Sequence, residues 1–344
     1  MVNPNIVIFG AGSIGCYVGG CLLAAGGDVS FIGRSRIQQQ IQQHGFHLTD
    51  WRGRKSLISA DKIRFSLSNE AIAKADYILV TVKSANTAEA AAQIAQYAKP
   101  SAVIVSFQNG IHNADTLQQG LAEHRVLKGM VPFNVISAGG GHFHCGTEGN
   151  LALEIDDGSA QALLNALQLA QLPVQTYRDL TGIQWSKLLL NLNNAVNALS
   201  GMPLRDQLYD PQYRRLMALI VQEALEVVKA AGIKPLRTGK VVPGLLPTVL
   251  RLPTWLFKRV ASALLKIDPA ARSSMYEDLQ LGRKTEVDYI NGEIVQLAKQ
   301  CRIEAPMNNA IVRLIKDTEA KQSGSPKLNA DALFAKLKAT KIER

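Results

Sequence analysis

A doubly wound α/β domain followed by an all-helical domain is the fold class this sequence predicts. Three observations carry it. Short β-branched runs alternate with helical patterns through the first half of the chain. The strand signal vanishes after Thr181. The chain has 344 residues, 47% of them apolar, enough to bury two cores. The expected domains are 1–179 and 180–344, with the boundary falling within 178–182.

Residues 5–9 read NIVIF, a buried strand that runs into Gly10. A helical pattern over 13–25 stops at Gly26-Gly27, and a second short strand follows at 29–32. This is a βαβ unit of parallel-sheet type. Further strands are expected at 77–82 and 102–106, with helices at 86–97 and 114–120. Residues 130–154 are Gly-rich and alternate apolar with polar, as hairpin-like strands closing the first domain would. One more helix at 160–170 and one more strand at 173–177 complete it. Helical periodicity then holds over 183–199, 211–231, 274–300 and 308–321. The short basic tail after Gly324 either frays or forms one terminal helix.

Charged residues make up 19% of the chain, too few for a disordered one. The formal net charge of +10 favours anionic ligands. Lys and Arg are scattered, which suits a small anion as well as a nucleic acid. No helix-turn-helix, zinc finger or aromatic platform is evident, so nucleic acid is not expected. The four cysteines form no CxxC pair and read as reduced thiols of a cytoplasmic protein. The start reads as a strand rather than a signal peptide. The apolar stretch 241–257 holds Pro243, Pro247, Pro253 and Arg251 and is too broken to span a bilayer, so no membrane partner is expected.

Gly10-Ala11-Gly12-Ser13-Ile14-Gly15 is a GxGxxG sequence lying between a strand and a helix. That context marks a Rossmann-type dinucleotide site. Gly10 permits the tight turn, Gly12 admits the pyrophosphate, and Gly15 packs helix on strand. The N–H groups of Ser13, Ile14 and Gly15 then face the phosphates. A glycine-rich turn without ligand is the plainer alternative. The second strand ends Phe31-Ile32-Gly33-Arg34-Ser35-Arg36, without the acid that NAD enzymes usually place there. NADPH is therefore the expected cofactor, with Arg34 the main 2′-phosphate contact and Arg36 secondary; two solvated arginines are the alternative. Lys83 and Asn109 each follow a later strand, at the edge where such sheets bind ligands. Lys83 is a phosphate or substrate contact or a solvated lysine. Asn109 meets the nicotinamide ribose or the substrate, or is ordinary Asn-Gly turn chemistry.

In the second domain, Trp185-Ser-Lys187-Leu-Leu-Leu-Asn191-Leu-Asn193-Asn194-Ala-Val-Asn197 is apolar nearly all round. Lys187, Asn191 and Asn194 stand at i, i+4 and i+7 and share one face. A polar stripe on a buried helix faces either a wet cleft, here the one expected between domains, or an interhelical hydrogen-bond network. A partly desolvated lysine has a lowered pKa, which suits proton donation during ketone reduction. Ser274 with Glu277 reads as a capping box, and Glu286 alone as an exposed carboxylate. His142-Phe143-His144-Cys145 reads as two side chains on one strand face, with no metal.

Together these motifs resemble the ketopantoate reductase (2-dehydropantoate 2-reductase) family. The matching pieces are the glycine start, Thr81-Val-Lys83, Gln108-Asn109-Gly110, Trp185-Ser-Lys187-Leu, Ser273-Ser274-Met, Thr285-Glu286-Val-Asp288-Tyr-Ile-Asn-Gly292 and Pro306. They run in family order along nearly the whole chain. The resemblance implies NADPH-dependent reduction of 2-dehydropantoate to pantoate, on the route to pantothenate and coenzyme A. It implies Lys187 as general acid, and Asn109, Asn191, Ser274 and Glu286 as substrate contacts, Glu286 bonding the substrate hydroxyl. Lys83 and Arg34 would bind cofactor. Two departures stand out. The family's second helix Asn is Ala195 here, so Asn194 substitutes, or Asn197 if the helix is distorted. The stretch 234–268 is longer than the family's, and is apolar, basic and Pro-rich; it would reshape the cleft, cover it or form an oligomer contact such as a homodimer's. Alternatives are a reductase of another 2-oxo acid and a non-catalytic NADPH-binding regulatory protein. Lys187 with Glu286 argues against the second, which needs no proton donor.

Overall fold

β1 (Asn5–Phe9), α1 (Ser13–Ala24) and β2 (Asp28–Ile32) open the chain. The computed structural model describes residues 3–155, 158–239, 241–264 and 271–339, and the chain divides into two units, Met1–Leu180 and Thr181–Arg344. The first unit continues with α2 (Ser35–His44), β3 (Phe46–Asp50), β4 (Lys55–Ile58), β5 (Arg64–Ser66), β6 (Tyr77–Val80), α3 (Thr87–Ala95), β7 (Val103–Ser106) and α4 (Asn113–Gly120). It ends with β8 (Arg125–Met130), β9 (Val135–Gly139), β10 (His142–Cys145), β11 (Leu151–Glu154), α5 (Gln161–Leu169) and β12 (Val174–Tyr177).

An eight-stranded sheet of order β12-β11-β8-β7-β6-β1-β2-β5 forms its centre. β5, β2, β1, β6, β7 and β8 pair in parallel. β1 is apolar throughout because both its faces are covered. Ile6 and Ile8 join the core under α1 with Tyr17 and Phe31, while Val7 and Phe9 join the opposite core with Ala90, Ile94 and Leu117. The strand order reverses beside β1, where the chain passes from β2 on one side to β6 on the other. Such a switch point is where open α/β sheets bind ligands. α1 stops in a Schellman turn: Gly26 N–H returns to Leu23 O at 3.0 Å and Gly27 N–H to Leu22 O at 3.0 Å.

A second sheet, β4-β3-β10-β9, has no counterpart in the sequence reading. Within 130–154, β9 and β10 form the expected hairpin, which belongs to this small sheet, and β11 pairs with β8 in the large one. The small sheet packs on α1, so closely that a Cβ on Gly20 would lie 2.8 Å from Leu48 Cδ1.

The second unit is helical: α6 (Thr181–Asn191), α7 (Asn193–Ser200), α8 (Leu204–Tyr209), α9 (Pro211–Ala230), α10 (Leu246–Leu250), α11 (Thr254–Leu264), α12 (Ser274–Gln280), α13 (Asn291–Gln300), α14 (Pro306–Lys321) and α15 (Ala330–Ala339). Two expected helices are each broken in two. The 183–199 pattern is interrupted at Leu192. The 274–300 pattern stops at a second Schellman turn, where Gly282 has φ +60° and Arg283 N–H returns to Asp278 O at 2.8 Å. The tail forms a helix, α15.

Arg214 of α9 is 1% exposed. It donates to the carbonyls of Leu208, Tyr209, Leu250 and Leu252 and to Thr254 Oγ1, all within 2.9–3.1 Å. Its guanidinium also lies 4.4 Å from the centre of the Phe257 ring. One side chain thereby pins the irregular chain around α10 and α11 to α8 and α9. Arg214→Ala strands several buried carbonyls, and urea unfolding should show a loss of about 3 kcal/mol or more; a loss under about 1 kcal/mol would mean that water replaces the guanidinium.

Candidate active site

The carboxyl ends of β1, β2, β6 and β7 lie level, with Phe9 opposite Ile32 and Val80, and Val80 opposite Ser106. Every candidate of the first unit follows one of these ends. Gly10 has φ +98°, and a Cβ there would lie 2.7 Å from Val82 N. The N–H groups of Gly10 and Ala11 both bond Ile32 O, which ties the turn to β2. Gly15 meets the sheet: its Cβ would lie 2.5 Å from Thr81 Oγ1 and 2.8 Å from Ile8 Cγ2. Gly12 differs. A Cβ there would meet nothing nearer than Gly10 O at 3.9 Å. The space its missing side chain leaves is open, as a site for an approaching pyrophosphate requires. Gly12 is the N-cap of α1, and the first i→i−4 bond runs from Cys16 N–H to Gly12 O at 2.8 Å. The N–H groups of Ser13, Ile14 and Gly15 thus have no acceptor within the helix, which makes this terminus suited to a phosphate.

Arg34 is the N-cap of α2, and both Arg34 and Arg36 are exposed. Lys83 and Asn109 are half-buried over a polar network that sequence reasoning did not anticipate. Gln108 donates to Val82 O at 3.1 Å and to Thr87 Oγ1 at 2.8 Å. Thr87 Oγ1 lies 2.7 Å from Asn113 Oδ1, and Ser84 donates to Asn109 O at 2.7 Å. Thr81 donates to Gly10 O at 2.8 Å, so the loop after β6 also braces the glycine turn. These residues hold Lys83 and Asn109 at fixed places on the sheet edge.

In the second unit, α6 buries Ile183, Gln184, Trp185, Ser186, Leu188 and Leu189. Lys187 is half-buried among them. Burial pushes its pKa down from 10.5 to about 8, and the Glu286 carboxylate opposes that fall. The structure therefore brings Lys187 and Glu286 into one electrostatic site. Glu286 is half-buried, on a loop fixed from α14: Thr285 N–H donates to Glu319 Oε1 at 2.8 Å, and Lys316 pairs with Asp288 at 2.7 Å.

Asn191 ends α6, Asn194 lies in the first turn of α7, and both are half-buried. Asn197 is fully buried and structural. Its Nδ2 donates to Met202 O at 2.9 Å and Gln207 Oε1 at 2.8 Å, and its Oδ1 accepts from Ser273 N–H at 2.9 Å. The helix is interrupted as imagined, yet Asn197 is not released toward a ligand. The capping assignment also changes. Ser273, not Ser274, caps α12, accepting from Tyr276 N–H at 3.2 Å. Ser273 Oγ also donates to Asn194 O at 3.0 Å, which fastens the start of α12 to α7. Ser274 is exposed and so left available for other contacts.

His142 Nε2 and His144 Nδ1 lie 2.8 and 2.7 Å from Thr49 Oγ1, and His47 stacks on His142 at 4.2 Å. Burial, then the neighbouring His47 and His144, depress the His142 pKa. Among the described residues no group of three or more His, Cys, Asp and Glu could hold a metal ion, and no helix is long and apolar enough to cross a membrane.

Residues 6–157 match the family model "Ketopantoate reductase PanE/ApbA", and residues 179–319 match its C-terminal companion. The crystal structure of a PanE/ApbA family ketopantoate reductase from Ralstonia eutropha is 30% identical, covers 92% of this chain and 99% of its own, and superposes with a TM-score of 0.78. The chain belongs to the ketopantoate reductase family. The 2-dehydropantoate 2-reductase of Pyrococcus horikoshii is 26% identical over 328 residues, 93% of this chain and 99% of its own. A D-mandelate dehydrogenase, solved with NADH and anilino(oxo)acetate, shares the fold at TM-score 0.74 and 20% identity, covering 92% of this chain and 99% of its own. Like its family, this chain is an oxidoreductase acting on a CH–OH group with a nicotinamide nucleotide cofactor.

The glycines make separable predictions for this ketopantoate reductase relative. Gly12→Ala should cost the unliganded protein no more than about 1 kcal/mol, the loss of a glycine N-cap, while weakening nucleotide binding. Gly15→Ala should destabilise the protein itself through contact with Thr81 and Ile8. Equal loss of stability in both would contradict the assigned roles.

Proposed function

We propose that this chain uses NADPH to reduce the ketone of 2-dehydropantoate, yielding pantoate. The observation that carries this reading is Lys187, whose pKa of about 8 fits a general acid near neutrality and whose neighbour is Glu286. NADPH, when bound, supplies a hydride to the ketone carbon. Lys187 gives its proton to the carbonyl oxygen as negative charge develops there, and regains one from solvent. Glu286 sustains the ammonium and, through a carboxylate oxygen, accepts a hydrogen bond from the substrate hydroxyl. Asn109, Asn191, Asn194 and Ser274 supply neutral N–H and O–H donors that orient an anionic 2-oxo acid without neutralising it. Gly10, Gly12, Gly15 and the N–H groups of Ser13 and Ile14 form the pyrophosphate seat, and Lys83 adds a cation beside it. The 2′-phosphate falls to Arg34, since no acid stands between Phe31 and Arg36.

The test is NADPH oxidation with ketopantoate beside a panel of other branched 2-oxo acids. Highest kcat/KM on ketopantoate supports the reading; a clear preference for another member replaces the substrate but not the chemistry. Lys187→Ala should lower kcat by roughly 10²–10⁴-fold. Because the acid must be protonated, the wild-type rate should fall as pH rises through about 8. Glu286→Gln removes the charge that holds that pKa up, so the falling limb should move to lower pH; a limb that stays in place would contradict the pairing. Arg34→Ala should raise the Kd for NADPH and leave that for NADH nearly unchanged, as read by nucleotide fluorescence, whereas equal changes would remove Arg34 from the 2′-phosphate.

A further inference from the structure

The chain between α9 and α12 takes no part in the chemistry proposed above. From residue 227 to residue 267 it carries eight Lys and Arg, the first Lys229 and the last Lys266, and not one Asp or Glu. Its inner side is firmly held. Pro243, Pro247, Leu250 and Phe257 are buried, and Arg214 pins the backbone from Leu250 to Thr254. Leu236 N–H donates to Gly182 O at 3.0 Å, and Ser186 donates to Leu236 O, which fixes the start of the strip on α6. Its exposed side chains are apolar and basic together. Trp255 is 69% exposed, Leu245 57%, Leu236 45% and Val242 44%. Among the described residues, four of the eleven exposed large hydrophobic side chains therefore fall within twenty residues of chain. Lys234, Arg237, Arg251 and Lys258 are exposed among them.

A strip with this composition discriminates among partners. A nucleic acid offers phosphates to the cations but nothing to an exposed indole and three aliphatic side chains. A second copy joined symmetrically would set this basic face against itself. An anionic bilayer satisfies both components. The indole and aliphatic groups enter the headgroup boundary, and Lys and Arg meet lipid phosphates. The strip cannot cross the bilayer, since α11 has eleven residues, roughly 16 Å of helix, and prolines interrupt the rest. We propose that residues 234–239 and 241–259 form a peripheral docking surface for an anionic lipid bilayer, with Trp255, Leu245 and Val242 as the inserted groups.

The full chain is tested by flotation with vesicles of mixed phosphatidylglycerol and phosphatidylcholine and with vesicles of phosphatidylcholine alone, at low and high salt. Binding should require phosphatidylglycerol, weaken in high salt and shift tryptophan emission to the blue. Trp255→Ser with Leu245→Ser, and separately Arg251→Glu with Lys258→Glu, should each lower the partition constant by about tenfold or more. Lys62→Glu with Lys74→Glu changes net charge equally on exposed sites of the first unit and should cost about threefold at most. Unchanged far-ultraviolet circular dichroism and NADPH affinity confirm that the variants are folded, and these readouts do not depend on which 2-oxo acid is reduced. The proposal is overturned if the chain binds neither vesicle, if Trp255→Ser with Leu245→Ser binds as well as wild type, or if the control pair loses as much as the strip pair. A dimer in sedimentation that the Trp255 and Leu245 changes dissolve, without lipid binding, would assign the strip to a second copy and overturn it as well.

Discussion

Lys187 must keep a proton where its surroundings work against charge. α6 surrounds it with Trp185, Leu188 and Leu189, all buried, so the ammonium gives up much of its hydration. Two opposing effects set its state: burial lowers its proton affinity, and the Glu286 carboxylate restores part of it. Neither alone yields an acid useful near neutrality. A solvated lysine holds its proton too tightly to donate it, and a lysine buried without a counter-charge would already be neutral. Much of the second unit can be read as support for this balance. α14 fixes the Glu286 loop from Glu319 and Lys316, and Ser186, next in sequence to Lys187, bonds both its own helix and the strip at Leu236. The same balance affects stability. The folded protein releases the Lys187 proton near pH 8, whereas an unfolded lysine keeps it to about 10.5. The unfolded chain thus binds the extra proton between these values, so this residue makes the fold more stable as pH rises through that interval and less stable below it.

The first unit solves a different problem, close approach. Each glycine of the turn answers a separate demand: Gly10 a left-handed backbone against Val82, Gly15 a helix pressed on Thr81 and Ile8, Gly12 open space. Thr81 connects these demands. Its hydroxyl bonds the Gly10 carbonyl and lies 2.5 Å from where a Cβ on Gly15 would sit. The network of Ser84, Thr87, Gln108 and Asn113 then carries this rigidity along the sheet edge to Asn109.

Local signals were the legible ones. β1, α1 and β2 could be read because strand, glycine turn and helical period are all encoded within thirty residues of one another. Lys187 and Asn191 could be read at helical spacing because that spacing is local to α6, whereas the break at Leu192 puts Asn194 on a separate helix, α7. Tertiary decisions were hidden. β3 and β10 pair in parallel about ninety-five residues apart, and neither strand has a strong pattern of its own. The break at Leu192 has no Gly or Pro to announce it. Ser273 and Ser274 are equal candidates for the cap in sequence; contacts from Asn194 and Asn197 on another helix decide for Ser273. Asn197 likewise could not be separated from Asn194 until Gln207 and Met202 claimed it. One missed feature was readable: Leu281-Gly282 is an ordinary helix stop inside a pattern that seemed to run through it.

The central claim is that burial against a single carboxylate tunes Lys187, and the lysine's own titration tests it most directly. In protein labelled at lysine Nζ and Cε, the Lys187 resonance, assigned by its loss in Lys187→Arg, should titrate near pH 8 in wild type and at lower pH in Glu286→Gln. Titration near the ordinary 10.5, or an unchanged midpoint without Glu286, would contradict the account.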